Sequence, residues 1–241
     1  MRSPWGPTLA FRRAGALLEA SVSPIQNPQS KIDDDPARPR FWDEKYVGRE
    51  ALFGTAPNAF VRAAASRIPQ GARVVEVGAG EARNLLFLAR ERDADVTAVD
   101  FAEEGLRAAR RRAEAAGISL KTTAADARTW RPGRPFDAVL VTFLHLLPEA
   151  RAESYRRLRD ALAPGGLLLA EWFGDAHADK TRFAEIGPST PKRLISAHEL
   201  REHFPQGGIE VLEETERDLD EGPILKGRAA VLRFAWRKPI S

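Results

Sequence analysis

A glycine-rich turn is the segment of this 241-residue sequence whose residue types point most clearly to chemistry. Gly78 and Gly80 follow the β-branched run 71–77 and precede the helical pattern of 84–92. A turn built this way lets backbone amides approach a ligand with no side chain between them. Glu76 lies inside the run, and a buried carboxylate needs a donor or a cation beside it. An ammonium-bearing ligand above the turn would supply that cation.

Two further acids follow the next two predicted strands. Asp100 lies 20 residues beyond Gly80, where a carboxylate suits two hydrogen bonds to a ribose diol. Asp126 ends the third strand, where it could accept a hydrogen bond from an exocyclic amine. An aspartate that ends a strand is more typical of a turn or a helix cap when taken alone. Three acids in order around a glycine turn instead indicate a ligand site at the carboxyl ends of parallel strands.

The spacing of the turn bears on the kind of cofactor. A dinucleotide-binding fold favours G-x-G-x-x-G, whereas Glu81, Ala82 and Arg83 follow Gly80 here. The missing third glycine argues against a nicotinamide-dependent oxidoreductase, and so does the carboxylate of Glu76 within the strand. That class is kept as the less favoured alternative.

The elements that position these residues alternate along the chain. Each of the first five strand-like runs is mostly apolar, which is typical of a parallel sheet covered on both faces. Two later runs alternate apolar and polar residues. The fold class is therefore α/β: a doubly wound, mostly parallel seven-stranded sheet with an antiparallel C-terminal strand pair. The predicted strands are 71–77, 96–100, 118–123, 136–143, 167–172, 210–216 and 228–236, and the predicted helices are 55–67, 84–92, 102–116, 149–162 and 196–204.

Local signals set several of these boundaries. Thr55 is the expected N-cap of the first helix, with Pro57 in its first turn. The turn 164–166 is expected to stop the helix 149–162. The polar stretch 174–195 interrupts the alternation of strands and helices, and it is the expected substrate-selecting cap.

The domain organisation is one domain with a tail. Residues 1–40 are rich in proline and show no sustained period, so they are expected to be a disordered N-terminal extension. Residues 41–241 are the expected cofactor-binding domain.

The glycine turn and its surroundings resemble those of the class I S-adenosylmethionine-dependent methyltransferases. Residues 76–80 match the family signature E/D-x-G-x-G, and residues 163–169 match the turn and fifth strand that follow. The resemblance implies a Rossmann-like sheet and S-adenosyl-L-methionine as the cofactor. The activity it implies is methyl transfer.

The resemblance also implies roles for single residues. Asp100 would hold the ribose, Phe101 would contact the adenine, and Asp126 would lie near the adenine amine. Ala82 replaces the third glycine of the longer signature, so its methyl group is expected close to the cofactor path. The cofactor-binding residues implied in this way are Trp42, Glu76, Gly78, Ala79, Gly80, Asn84, Asp100, Phe101, Asp126, Ala127 and Thr142.

A narrower resemblance is to the tellurite-resistance and thiopurine-type branch of that family. The segments 41–46 and 52–58 look like the branch's W-D-x-x-Y lead and its G-x-x-P-N segment. The branch folds this region over the cofactor, so Trp42 and Tyr46 are expected to close the pocket and exclude water.

Methyl transfer from a sulfonium is an in-line displacement, which needs mainly alignment and the exclusion of water. Thr142 and Phe143 are expected beside the methyl path. A base is needed when the acceptor must first lose a proton, and His145 is the candidate for that catalytic role, although a single histidine at a strand end is more often structural. Because the transfer step requires no diagnostic residue, a non-catalytic cofactor-binding domain that regulates a partner stays open as an alternative.

Composition restricts the partners. The chain has no cysteine, which excludes thiolate metal sites, iron–sulfur clusters and the covalent adduct used in C5-pyrimidine methylation. The net charge is +3, and residues 1–40 hold six basic and four acidic residues, so the remaining chain is nearly neutral, unlike a typical nucleic-acid binder. No apolar run approaches the ~20 residues of a membrane span. The prediction is a cytoplasmic monomer or weak dimer with a small-molecule acceptor, no metal, and no nucleic-acid or membrane partner.

Overall fold

A seven-stranded sheet forms the centre of the part of the chain that the computed structural model describes, residues 35–240. The strand order is β3-β2-β1-β4-β5-β7-β6; the first five strands are parallel, and β7 runs antiparallel to both of its neighbours. This architecture confirms the predicted fold class. The strands are β1 Arg73–Val77, β2 Asp95–Asp100, β3 Leu120–Ala124, β4 Phe136–Thr142, β5 Leu162–Phe173, β6 Ile209–Asp220 and β7 Lys226–Arg237.

Helices cover both faces of this sheet. They are α1 Pro39–Tyr46, α2 Ala59–Ala64, α3 Arg83–Arg92, α4 Glu103–Ala115, α5 Pro148–Ala161 and α6 Ala197–His203, with short 3₁₀ turns at Ala65–Arg67, Asp175–Ala178, Pro191–Arg193 and Gln206–Gly208. Alternate residues of a strand point to opposite faces. Val74 of β1 accordingly packs in one apolar cluster and Val75 in the other. Two buried faces explain why the central strands read as nearly unbroken apolar runs.

Two predicted boundaries are wrong. The first predicted helix begins at Ala59 and is capped by Asn58 rather than Thr55; the Asn58 side chain accepts hydrogen bonds from the amides of Phe60 and Val61 at 2.9 and 3.2 Å. The turn 164–166 does not end a helix. It lies within β5, next to a register shift between β4 and β5, because the preceding helix has already ended at Ala161.

The start of the described region is held by α1. This helix begins at Pro39, so the predicted domain boundary at residue 40 falls inside it. The Trp42 indole donates to the carbonyl of Pro36 at 3.1 Å, and Asp43 accepts from the amide of Glu104 at 2.9 Å, at the start of α4. The expectation of disorder concerns mainly residues 1–34, which lie outside the described residues.

A search for membrane-spanning helices was negative. Within residues 35–240, no helix combines the length and the apolar composition needed to cross a bilayer.

Candidate functional site

A cavity of about 460 Å³ opens at the carboxyl ends of the parallel strands. The chain leaves β1 toward β2 and β3 on one side and returns to β4 on the other, so this is the point where the strand order reverses. Ligands of open α/β sheets bind at such switch points. Residues of α1, the loops after β1 to β4, and the segment 185–189 line the cavity. Every residue predicted for the site, including His145, is among them.

Glu76 lies at the floor of this cavity with a carboxylate that is only half satisfied. One oxygen, Oε1, accepts from the Asn84 amide at 2.7 Å and from the Thr142 hydroxyl at 2.9 Å. The other oxygen, Oε2, is buried and has no hydrogen-bond partner within the described residues. Burial raises the pKa of Glu76 to about 7, against the lowering effect of the two donors. The site can therefore accept one more donor or cation at Oε2.

The glycine turn after β1 is fixed by Asp100. Its Oδ2 accepts from the amide of Gly80 at 2.8 Å, and its Oδ1 accepts from the amide of Ala102 at 2.8 Å, at the start of α4. Burial raises the pKa of Asp100, although these amides oppose the shift. Gly80 has a φ of +50°, and a β-carbon there would collide with the Tyr46 hydroxyl. The Asp100 carboxylate and the Tyr46 ring of α1 thus both contact the turn at Gly80.

Ala82 does not lie where the sequence suggested. Its φ of 59° and ψ of 29° place it in the left-handed region, just before α3. Its methyl group is buried in the apolar cluster beneath the sheet and does not line the cavity. The expectation of a methyl group in the cofactor path is therefore wrong, and the cost of this alanine is backbone strain.

Asp126 is paired with a residue that the sequence analysis did not single out. The Arg128 guanidinium donates to both oxygens of Asp126, at 2.9 and 2.8 Å through Nε. Partial burial opposes the charge of Asp126, but the bonds from Arg128 outweigh it and hold the pKa of Asp126 below its ordinary value. Ala127 and Phe101 line the same part of the cavity.

His145 is bound by backbone on both sides of its ring. Nδ1 donates to the carbonyl of Arg193 at 2.8 Å, and Nε2 accepts from the amide of Phe173 at 3.3 Å. Burial lowers the pKa of His145 to about 3. A neutral imidazole with both nitrogens engaged fits a structural role, in contrast to the general base predicted from its position.

A buried charge network lies beside the glycine turn, and sequence reasoning missed it. Glu171 of β5 accepts from Asn58 at 2.7 Å, from Arg217 at 3.0 Å and from Arg233 at 2.9 Å. Glu221, which follows β6, is bonded to Arg217 and to Arg83 of α3. One signal was available: Glu171 interrupts an apolar strand in the same way as Glu76. Its partners could not be read because they are 46 to 113 residues away.

α1 brings its aromatic side chains to the rim. Trp42 and Tyr46 both line the cavity, and both rings lie near Phe53, with centroids 6.1 and 6.4 Å away. Tyr46 is buried, whereas Trp42 is partly exposed. This helix and the segment 185–189 both contribute to the wall of a partly open cavity.

Comparison with known proteins identifies the family. A methyltransferase-domain family model matches residues 74–166. A trans-aconitate 2-methyltransferase from Streptomyces avermitilis is 33% identical over 187 residues, which cover 73% of this chain and 69% of that protein. The chain belongs to the class I S-adenosylmethionine-dependent methyltransferases. The cofactor of this methyltransferase is S-adenosyl-L-methionine, as the resemblance implied.

Two solved structures share the fold of this methyltransferase. TehB from Haemophilus influenzae superposes with a TM-score of 0.62 at 20% identity, covering 76% of this chain and 63% of that one. The N-methyltransferase NodS from Bradyrhizobium japonicum, in complex with S-adenosyl-l-homocysteine, superposes with a TM-score of 0.60 at 15% identity, covering 83% and 98%. This methyltransferase spans less than two thirds of the TehB chain. At these identities the likeness concerns the fold alone, and the narrower resemblance to the tellurite-resistance and thiopurine-type branch stays a prediction.

Proposed function

We propose that this methyltransferase transfers the methyl group of S-adenosyl-L-methionine to a small-molecule acceptor inside the cavity at the β1–β4 switch point. The observation that carries the assignment of the cofactor site is the buried, unpartnered Oε2 of Glu76. A carboxylate oxygen left in this state is costly unless a ligand supplies a donor or a cation. The α-ammonium of the cofactor is such a group, so the residues present fit it.

Glu76 is the proposed partner of that ammonium group. Asn84 and Thr142 act on it as positioning residues, because both donate to Oε1 and so direct Oε2 toward the ligand. The side-chain oxygen of Asn84 in turn accepts from the amide of Asn58 at 2.8 Å, which fixes the amide orientation.

Asp100 and the residues after β3 are proposed to bind the nucleoside. Both Asp100 oxygens already accept one backbone hydrogen bond each, and each keeps a second lone pair for a ribose hydroxyl. Phe101 and Ala127 offer apolar contact for the adenine. Asp126, held in place by Arg128, is the proposed acceptor for the adenine amine.

The chain's own contribution to the reaction is placement and the exclusion of water. The bound cofactor supplies a methyl group that is already activated on a sulfonium. Residues of α1 and the segment 185–189 line the cavity, and their proposed role is to limit the access of water to the two reactants. The proposal uses no protein base, since His145 is locked by the backbone on both sides.

The size of the cavity supports a small acceptor. A volume of about 460 Å³ lies within the ~300–1,000 Å³ that is usual for small-molecule sites. By its name, the Streptomyces relative acts on trans-aconitate, which is itself a small molecule.

Calorimetry tests the cofactor site. The wild-type chain should bind S-adenosyl-L-methionine and S-adenosyl-L-homocysteine, and the Glu76→Gln variant should bind both at least ten-fold more weakly. The matched control is Glu91→Gln on the exposed side of α3, which should bind like the wild type. Equal affinity in the two variants would refute the role of Glu76. A screen of small acceptors for S-adenosyl-L-homocysteine release then separates a catalyst from a regulatory domain.

A further inference from the structure

Arg193 is a buried cation on the cavity wall that the proposed cofactor site does not use. It ends the 3₁₀ turn Pro191–Arg193, lines the cavity, and is 6% exposed. Its Nη1 donates to the carbonyl of His145 at 2.8 Å, and its Nη2 lies 3.6 Å from Oδ1 of Asp35. That second distance is an ion pair but exceeds hydrogen-bond length. The guanidinium therefore retains donors for a ligand anion.

The other cations that line the cavity within residues 35–240 are either paired with a carboxylate or exposed. Arg83 pairs with Glu221. Arg128 pairs through several nitrogens with Asp126. Lys45 is exposed, and its ammonium lies 5.2 Å from the Phe41 ring centroid. Arg193 is thus the buried lining cation whose nearest carboxylate lies beyond hydrogen-bond distance.

The cavity wall near the ends of β4 and β5 is apolar. Phe143 and Phe173 lie with ring centroids 5.2 Å apart, and Ile186 packs in the same cluster. A β-carbon at Gly187, whose φ is +80°, would collide with the Phe173 ring, so the segment 185–189 lies directly on that ring. Phe143 adopts a φ of +55°, which is rare for a bulky residue and typical of functional sites.

We propose that the acceptor is a monocarboxylic acid with a flat or aliphatic apolar body, whose carboxylate binds the Arg193 guanidinium. The apolar body would contact Phe143, Phe173 and Ile186. This inference rests on the proposed function, because it names the acceptor class for the same cavity. An acid with several carboxylates fits less well, since its further charges would meet the apolar wall or the lining acids Glu149 and Glu185.

The Asp35 carboxylate would compete with the ligand carboxylate for the Arg193 guanidinium. Its Oδ1 accepts from the amide of Ala37 at 2.9 Å, and its side chain is 44% exposed. A ligand carboxylate that binds Arg193 takes over the pairing that Asp35 makes at longer range. Neutralising Asp35 should therefore strengthen acid binding, whereas neutralising Arg193 should weaken it. If the contact between Asp35 and Arg193 only stabilised the fold, both substitutions would change the affinity for the acid in the same direction.

The test is calorimetry with the full chain saturated with S-adenosyl-L-homocysteine. The probes are benzoate, cinnamate, phenylacetate and octanoate, each compared with its primary amide, and trans-aconitate. We expect at least one monocarboxylate to bind at least ten-fold more tightly than its amide and than trans-aconitate. Arg193→Gln should lower that affinity at least ten-fold, and Asp35→Asn should raise it about two-fold or more.

Arg151→Gln is the matched control. Arg151 is also buried and ties the same two segments, through the carbonyls of Leu146 and Lys192, but it does not line this cavity. It should lower the melting temperature and leave acid affinity within two-fold. The proposal is overturned if no probe acid binds, if amides bind as well as acids, or if Arg193→Gln and Arg151→Gln weaken binding equally. A separate titration of the same variants with S-adenosyl-L-homocysteine, before saturation, reports on the proposed function.

Discussion

At the scale of single residues, Glu76 couples cofactor binding to pH. Its pKa is about 7 because the carboxylate is buried, so a sizeable fraction is protonated at neutral pH. A bound ammonium group favours the carboxylate, so binding should release a proton from this fraction. We expect the affinity for S-adenosyl-L-methionine to fall as the pH drops below 7. Calorimetry in two buffers of different ionisation enthalpy measures the proton released, and equal heats in both buffers at pH 6.5 would contradict the prediction.

The same carboxylate should make the cofactor-free protein less stable at high pH. A carboxyl whose pKa is raised on folding stabilises the fold below its unfolded pKa of 4.5, and this stabilisation is lost as the pH rises through about 7. The full effect is about 3 kcal/mol at 1.36 kcal/mol per pKa unit. Glu76→Gln has no such loss. Its unfolding free energy relative to the wild type should therefore increase from pH 4.5 to pH 8.

Chemical denaturation of both chains at these two pH values measures that difference. The exposed Glu91→Gln variant serves as the control and should track the wild type. A difference that stays constant with pH would show that folding does not raise the pKa of Glu76.

Residue types and spacing were sufficient to place Glu76, the glycine turn and Asp100 at one cavity, because their positions follow from where strands end. The role of His145 could not be read, since it depends on two backbone groups, at Arg193 and Phe173, that are 48 and 28 residues away. The partners of Glu171 could not be predicted either, because they are also distant in the sequence. Long-range contacts made by irregular segments leave no period in the sequence.

At the scale of elements, the packing of α1 on the glycine turn depends on the size of one residue. Gly80→Ala should lower the unfolding free energy by about 2 kcal/mol or more, from left-handed strain together with a collision against the Tyr46 hydroxyl. The double variant with Tyr46→Phe should regain part of this loss, because it removes the colliding oxygen and leaves the strain. Thermal melts of the two single variants, the double variant and the wild type form the cycle, and strictly additive effects would exclude the contact.

Strand runs and helix periods located nearly all elements to within a few residues. The start of α2 was misplaced because Thr55 and Asn58 can both cap a helix. The choice between them depends on the hydrogen bond that the side-chain Nδ2 of Asn58 donates to Glu171. Tertiary contact thus selected between two locally acceptable caps.

At the scale of the whole molecule, we expect the residues before Asp35 and the residues of α1 to contribute differently to cofactor binding. A chain that begins at Asp35 should keep the melting temperature and the cofactor affinity of the full chain. A chain that begins at Ala51 lacks α1 and Tyr46, which line the cavity and cover the glycine turn, so its cofactor affinity should fall at least ten-fold. Calorimetry on the two truncations measures this, and equal affinities would show that α1 contributes nothing to the site.

The buried network that joins Asn58 and Arg83 to Glu221 also sets an order of events during synthesis. Arg83 and Glu221 are separated by 138 residues, and Asn58 and Glu221 by 163. A nascent chain that has emerged only through β5 holds the glycine turn but not the carboxylate that neutralises Arg83 behind it. The methyl donor therefore meets a finished pocket only after Glu221 has been translated, so a chain that is released before this residue is added should have an incomplete site.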